Sequence, residues 1–237
     1  FGRRIVRHPV YAFRDKLALL KFVLLAHDYL IAGTLDLYYV KRLFICDARA
    51  LIPRPETELL VELVLKESGA AASILDVATG SGVIGLSLAL SRPDVAVTLC
   101  DISPEALSLA AANALRHGLA DKVARKESDL FDAVEGIFDV IVSNPPYIPT
   151  SDISTLSREV KNDPVLALDG GADGLRIVER LVKDASGRIS PGGLLAMEIG
   201  HDQASRVVEI LKTHNFRDIV VHRDYQDVER FVFSRHG

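Results

Sequence analysis

Asn144-Pro145-Pro146-Tyr147 follows directly on the apolar run Phe138-Asp139-Val140-Ile141-Val142-Ser143. That run reads as a buried strand, and two consecutive prolines forbid further sheet pairing. The strand is therefore expected to stop with Asn144 at its carboxyl end, where open parallel α/β sheets place their ligand crevice. The prolines also stiffen the backbone, so an Asn amide oxygen and a prolyl carbonyl can stand together as fixed acceptors with an aromatic ring beside them. Such a pair suits a planar NH2 group better than a phosphate or a metal. Taken alone, the same four residues would serve equally as a rigid strand-to-loop turn.

Upstream lies Asp76-Val77-Ala78-Thr79-Gly80-Ser81-Gly82-Val83-Ile84-Gly85. Glycines 80, 82 and 85 fall between a strand and its helix, allowing a tight turn and close approach of a ligand to backbone N–H groups. The spacing alone fits a dinucleotide or mere close packing. Asp76 narrows the choice, because a carboxylate beside the loop repels pyrophosphate and favours a cation or an amine; a nucleoside without phosphates is the expectation. Asp101 ends the next strand, Val97 to Cys100, where a carboxylate can accept from both ribose hydroxyls. Asp129 and Leu130 follow the third strand; Asp129 could bond an exocyclic amine and Leu130 flank an adenine face. Helix capping and a plain loop are the bland alternatives for these residues.

The elements that must position these groups can be read from periodicity. Residues 1–35 are expected to be helical, with Leu17, Leu20, Leu24 and Leu25 at helical spacing and Gly33 as a stop. Residues 36–53 hold two short β-prone runs, Leu37–Val40 and Leu43–Cys46, expected as a hairpin or extended connector. Strands are expected over 73–78, 95–100, 123–127, 138–143 and 193–199, with helices over 56–67, 85–91, 104–117, 175–189 and 203–214. Ser103 should cap its helix, with Pro104 at the first helical position. Two last strands, 218–223 and 230–234, resemble a terminal antiparallel pair. This alternation implies an α/β fold, a mostly parallel sheet covered by helices on both faces. The expected division is a helical segment over 1–35, a connector over 36–55 and a catalytic domain over 56–237.

Composition sets the outer bounds. The 237 residues suit one α/β domain with a small appendage, and 49% hydrophobic content is ample for a core. A net charge of −4 gives no global attraction to nucleic acid. Cys46 and Cys100 match no metal spacing and read as small buried hydrophobes in a reducing compartment. No cluster of metal ligands is visible. The stretch from Leu17 to Ala32 is interrupted by Lys21, His27 and Asp28, too short and too charged to span a membrane. The chain opens at Phe1 and its only methionine is Met197, so the initiator is expected to lie outside it.

The order of strand, glycine loop, Asp101, Asp129 and the Asn-Pro-Pro-Tyr motif resembles the class I S-adenosylmethionine-dependent methyltransferases, with a Rossmann-like seven-stranded sheet. Further motifs narrow the likeness: Leu51-Ile52-Pro53-Arg54-Pro55-Glu56-Thr57-Glu58 before the core, Ile148 after Tyr147, then Asp163-Pro164, Ala167-Leu168, Gly170-Gly171-Ala172-Asp173-Gly174-Leu175, and 223–230 near the end. From about residue 51 to 234 the chain is similar to the HemK/PrmC-type family, which methylates N5 of the glutamine in the Gly-Gly-Gln motif of peptide chain release factors. The resemblance implies S-adenosyl-L-methionine as methyl donor and S-adenosyl-L-homocysteine as product. It implies cofactor contacts from Asp76, Thr79, Gly80, Ser81, Gly82, Asp101, Ile102, Asp129, Leu130 and Asn144. Catalysis falls to Asn144, Pro145, Pro146 and Tyr147, and Pro53, Arg54 and Glu56 border the substrate slot with Asn144, Pro145 and Tyr147. No metal is implied. Two departures stand out: Ala78 occupies the first glycine position of the family's loop, and residues 1–35 carry little of the family's N-terminal helical domain.

The chemistry expected is orientation, not deprotonation, of a carboxamide whose lone pair is delocalised into its carbonyl. The Asn144 side-chain oxygen and the Pro145 carbonyl would accept its two N–H bonds, with Tyr147 packed on the flat amide. The expected setting is cytoplasmic, with the release factor as partner, no membrane and no direct nucleic acid, and a monomer. Two alternatives remain open: an amino-methyltransferase acting on a flipped base of DNA or RNA, and a catalytically inactive subunit with this fold.

Overall fold

The computed structural model describes residues 5–6, 34–40, 42–158 and 160–237. A short three-stranded sheet comes first: β1 (Ile5–Val6) pairs in parallel with β2 (Thr34–Tyr39), which pairs antiparallel with β3 (Arg42–Asp47). The β-prone runs thus form the hairpin, turning at Val40, whose φ of 42° is left-handed. Strand β1 departs from the helix expected over 1–35; the rest of that helix, through Gly33, lies outside the described residues, as does the apolar stretch from Leu17 to Ala32.

Helix α1 (Pro55–Glu67) opens the alternating region, with Pro55 in its first turn and acidic Glu56 and Glu58 complementing the helix dipole. There follow β4 (Ser73–Val77), α2 (Val83–Ser91), β5 (Ala96–Asp101), α3 (Pro104–Arg116), β6 (Val123–Glu127) and β7 (Phe138–Ser143). Ser103 caps α3 as expected, its hydroxyl accepting from the Ala106 N–H at 3.1 Å. After the motif come β8 (Ile148–Pro149), three short 3₁₀ turns between 150 and 167, and β9 (Asp169–Gly171), a two-stranded parallel pair absent from the sequence expectation. Helix α4 (Arg176–Ala185) ends earlier than expected, because Ile189 already begins β10 (Ile189–Glu198). A register shift in β10 between Ile189 and Leu194, at Pro191-Gly192-Gly193, explains why periodicity located only its second half. Helix α5 (Ala204–Thr213), β11 (Phe216–Arg223) and β12 (Glu229–His236) complete the chain.

The main sheet has the order β6-β5-β4-β7-β10-β12-β11. Strands β6, β5, β4, β7 and β10 run parallel, and only the ladders of β12 with β10 and β11 are antiparallel. The sequence direction reverses between β4 and β7, so a crevice opens at their carboxyl ends. Alternate side chains feed two cores. Ile74, Val140 and Val142 pack with α1, α2 and the hairpin; Leu75, Val77 and Ile141 pack with α4 and α5. Rigid strands between two packed layers hold the β4 and β7 ends in fixed register, Val77 opposite Ser143, and the Ser143 hydroxyl donates to the Val77 carbonyl at 2.8 Å. Among the described residues no helix is long and apolar enough to cross a membrane.

Candidate active site

The crevice floor is the loop after β4. Asp76 is wholly buried; its Oδ2 accepts from the Thr79 hydroxyl at 2.6 Å and from the Gly85 N–H at 2.8 Å. Burial pushes its carboxyl up to about 7, against the opposing pull of those two donors. Gly85 has to be glycine, since a Cβ there would stand 2.3 Å from Leu99 and 3.0 Å from Asp76. Contrary to the expectation from its place beside the loop, Asp76 therefore forms no part of the cavity wall; it braces the loop from beneath. The loop's N–H groups are also turned inward. Thr79 donates to the Cys100 carbonyl at 3.0 Å, Gly82 to the Thr79 carbonyl at 2.9 Å, and Gly80 to Asp101 Oδ2 at 2.8 Å. With these donors engaged, the loop offers them to no phosphate, in keeping with the expectation of a nucleoside ligand.

Above the loop lies a cavity of about 270 Å³. Asp101 enters it from the end of β5, its second oxygen accepting from the Ser103 N–H at 2.9 Å. Burial raises its carboxyl above the usual range while these backbone donors pull the other way. Thr79, Gly80, Ser81, Ile102, Asp129, Leu130, Asn144, Pro146 and Pro53 all line the same cavity, so the sequence motifs do converge. Asp129 is shared with Arg180, its Oδ2 accepting from that guanidinium at 2.9 Å. A carboxylate at the end of β5, apolar walls from Ile102 and Leu130, and loop N–H groups already engaged within the protein fit the nucleoside half of S-adenosylmethionine.

At the other end stands the Asn-Pro-Pro-Tyr segment. Asn144 Nδ2 donates to the Thr57 hydroxyl at 3.4 Å, and that hydroxyl donates to Glu198 Oε2 at 2.8 Å. The Tyr147 hydroxyl donates to Glu198 Oε1 at 3.2 Å. Glu198, at the end of β10, is 1% exposed, and burial pushes its carboxyl up to about 7 despite Thr57, Arg230 and Tyr147. The same burial, with Glu198 beside it, raises the Tyr147 phenol. Gln203 fixes the backbone of the segment: its Nε2 donates to the carbonyls of Tyr147 at 2.9 Å and Gly174 at 3.3 Å. Gly174, at φ +76°, admits no side chain, because a Cβ would lie 2.3 Å from the Tyr147 carbonyl oxygen.

Other expected site residues also lie off the cavity wall. Gly82 forms the turn into α2, Pro145 is buried, and Tyr147 reaches back to Glu198. Arg54 turns to Asp163, whose Oδ2 accepts from its guanidinium at 2.6 Å, and Glu56 lies on the first turn of α1. The Asp163 Oδ1 accepts from the Ile52 N–H at 3.2 Å, so the pair ties the segment before α1 to the loop before β9. Sequence reasoning missed Thr57, Glu198, Gln203 and Arg180, and also Arg176, which lines the cavity. Thr57 sits inside the quoted 51–58 stretch but reads as an ordinary helix residue; Glu198 hides as the last residue of an apolar strand. It also missed Asn113 of α3, fully buried, which exchanges hydrogen bonds with Ile45 of the hairpin and donates to the Ser81 carbonyl at 2.9 Å.

Comparison with known proteins accords with this geometry. Residues 55–159 match the family model of the Methyltransferase small domain. A release factor glutamine methyltransferase of Deinococcus radiodurans is 44% identical over 191 residues, covering 80% of this chain and 68% of the relative. One of Clostridium acetobutylicum is 42% identical over 193 residues, covering 79% and 68%. In fold, a methyltransferase of Pyrococcus furiosus superposes with a TM-score of 0.62 at 18% identity, over 92% of this chain and 98% of the other. A ribosomal protein L11 methylase of Lactobacillus delbrueckii does so at 0.59 and 19% identity, over 78% and 79%. The chain spans about two thirds of the length of the Deinococcus and Clostridium methyltransferase relatives and belongs to the release factor glutamine methyltransferase family.

Proposed function

We propose that the chain transfers a methyl group from S-adenosyl-L-methionine to the side-chain amide nitrogen (N5) of the glutamine in the Gly-Gly-Gln motif of peptide chain release factors, acting as a monomer in the cytoplasm. The observation that carries the reading is Asn144: its Nδ2 is tied back to Thr57 while the residue lines the cavity, so its Oδ1 is left as an acceptor. S-adenosylmethionine, when bound, supplies an electrophilic methyl carbon on a sulfonium. Asp101 would hold the ribose, Ile102 and Leu130 the adenine faces, and Asp129, shared with Arg180, the amine edge.

The chain's own contribution is geometric. Asn144 Oδ1 and the Pro145 carbonyl accept the two N–H bonds of the substrate amide and turn its lone pair along the line of transfer. Both acceptors also favour the positive charge that develops on nitrogen as the C–N bond forms and the C–S bond breaks. Tyr147, held by Glu198 and Gln203, bounds the slot for the flat amide. The amide proton leaves to water after transfer. Pro53 closes the cavity side of the slot, while Arg54 and Glu56 act on its entrance.

Mass spectrometry of a purified release factor incubated with the chain and S-adenosylmethionine tests the reading. One added methyl on the Gly-Gly-Gln glutamine is expected, falling roughly 10²- to 10³-fold in rate with Asn144→Ala, the scale of losing one preorganised partner. No added methyl despite measurable cofactor binding would overturn the glutamine substrate and point to nucleic acid amino groups.

A further inference from the structure

Asn144 can serve as an acceptor only if its carboxamide faces the right way, and a carboxamide turned over presents two donors instead. Three polar groups decide which face the cavity meets. Glu198 is buried at the end of β10, and its ionised carboxylate only accepts. Thr57 Oγ1, 2.8 Å from Glu198 Oε2, must then spend its one proton on Glu198. Its lone pairs are left to face Asn144, which answers with Nδ2 at 3.4 Å. That leaves Oδ1 for the substrate. The other carboxylate oxygen receives the Tyr147 hydroxyl at 3.2 Å, so the same charge also seats the ring that bounds the slot.

We infer that Glu198, through Thr57, is a positioning residue whose ionised carboxylate fixes the Asn144 amide with its oxygen toward the substrate nitrogen. The inference rests on the proposed role of Asn144 and extends it to Thr57, which also lines the cavity, and to Glu198, which does not. A protonated Glu198 offers a hydrogen of its own. Thr57 is then free to donate toward Asn144, and the amide loses its set orientation. Glu198 is surrounded by Thr57 and Glu56 of α1, Tyr147 of the motif, Arg230 of β12 and Tyr39 of β2. Burial raises its carboxyl to about 7, so the switch falls near neutral pH. Activity should accordingly rise as pH rises through that region.

Three variants test this: Thr57→Val removes the hydroxyl at constant shape, Thr57→Ser restores it, and Glu198→Gln removes the charge. Methyl transfer to the release factor is followed at saturating S-adenosylmethionine from pH 6 to 9, with cofactor affinity measured by calorimetry. Thr57→Val is expected to lower kcat about tenfold or more with cofactor Kd changed less than about threefold, and Thr57→Ser to recover most of it. The rise of kcat between pH 6 and 8 should vanish in Thr57→Val and Glu198→Gln. Full kcat in Thr57→Val, a loss that serine does not repair, or a persisting rise would overturn the inference. A second readout needs no turnover: the side-chain NH2 signals of Asn144 in ¹⁵N-labelled protein, assigned with Asn144→Ala. They should titrate near pH 7 in the unmodified chain and stay flat in Glu198→Gln. Flat signals in both would sink the inference, whereas titrating signals without glutamine methylation would overturn only the proposed substrate.

Discussion

Ala78 holds a φ of +55°, a left-handed conformation that crowds its Cβ against the backbone. It does so where the loop leaves β4, and the hydrogen bond from Thr79 to the Cys100 carbonyl shows that the turn closes regardless. A non-glycine residue in this region carries about 1–2 kcal/mol of strain, while glycine loses about 0.4–1 kcal/mol more on folding through its freer unfolded chain. Ala78→Gly should therefore stabilise the protein by about 0.5–1 kcal/mol, raising the thermal midpoint by roughly 1–4 °C in calorimetry. Ala78 itself lines the cavity, but the change removes only a methyl and leaves every other lining side chain in place, so cofactor affinity should stay within about threefold. A lowered midpoint would mean that the Ala78 methyl contributes packing that outweighs its strain.

At the scale of elements, the site depends on connections between segments distant in sequence. Arg54 and Asp163 join the entry to α1 with the loop before β9, and Asp163 is only 3% exposed. Burial raises its carboxyl while Arg54 lowers it. Removing the cation leaves a buried carboxylate held by the Ile52 N–H, so Arg54→Gln should lower stability by about 3 kcal/mol in urea unfolding. Asp163→Asn should cost less, and the double variant should lose less than the sum of the two, a coupling that a double-mutant cycle reads directly. Additive losses would show that the two side chains act separately. The same dependence explains what the sequence could reveal. Strand, helix and Asn-Pro-Pro-Tyr positions were legible because hydrophobic periodicity and proline act locally, as at 123–127 and 138–143, whose bounds agree with β6 and β7. The main sheet and its ligand-facing edge followed from that alternation. Thr57, Glu198 and Gln203 were not legible, because each gains its role from a partner dozens of residues away that only the folded sheet supplies. The β10 start was lost to its bulge, and Asp76 shows that position in a motif cannot tell a cavity wall from the brace beneath it.

Across the whole molecule, buried carboxyls set catalysis and folding against each other. Asp76, Glu58 and Glu198 are nearly inaccessible, and desolvation lifts each to about 7. In the unfolded chain the same groups ionise near pH 4. A raised folded-state value means that the unfolded state releases protons first as pH rises. Stability supplied by keeping these groups neutral is then complete below about pH 4 and is lost progressively up to about pH 7. Each tenfold gain in one group's proton affinity on folding is worth about 1.4 kcal/mol, and three groups moving together would consume much of a domain's typical 5–15 kcal/mol. Local rearrangement will absorb part of this, so a loss of at least about 2 kcal/mol between pH 5 and 8 is expected. On the acid side, Asp47 beside Arg49, and Asp139 under the N–H groups of Ala72 and Ser73, have lowered values. Their contribution disappears as pH falls below the ordinary carboxylate range, so stability should peak at about pH 4. Urea midpoints measured from pH 3 to 9 should trace that peak, and a midpoint that climbs steadily from pH 5 to 8 would show that these carboxyls ionise freely in the fold. Glu198 gives the peak its functional meaning. The charge that orients Asn144 is the one the fold resists, so the enzyme should be most active where it is no longer most stable. Replacing Glu198 with glutamine should lessen the fall of the urea midpoint from pH 5 to pH 8, while lowering methyl transfer at pH 8 far more than at pH 5.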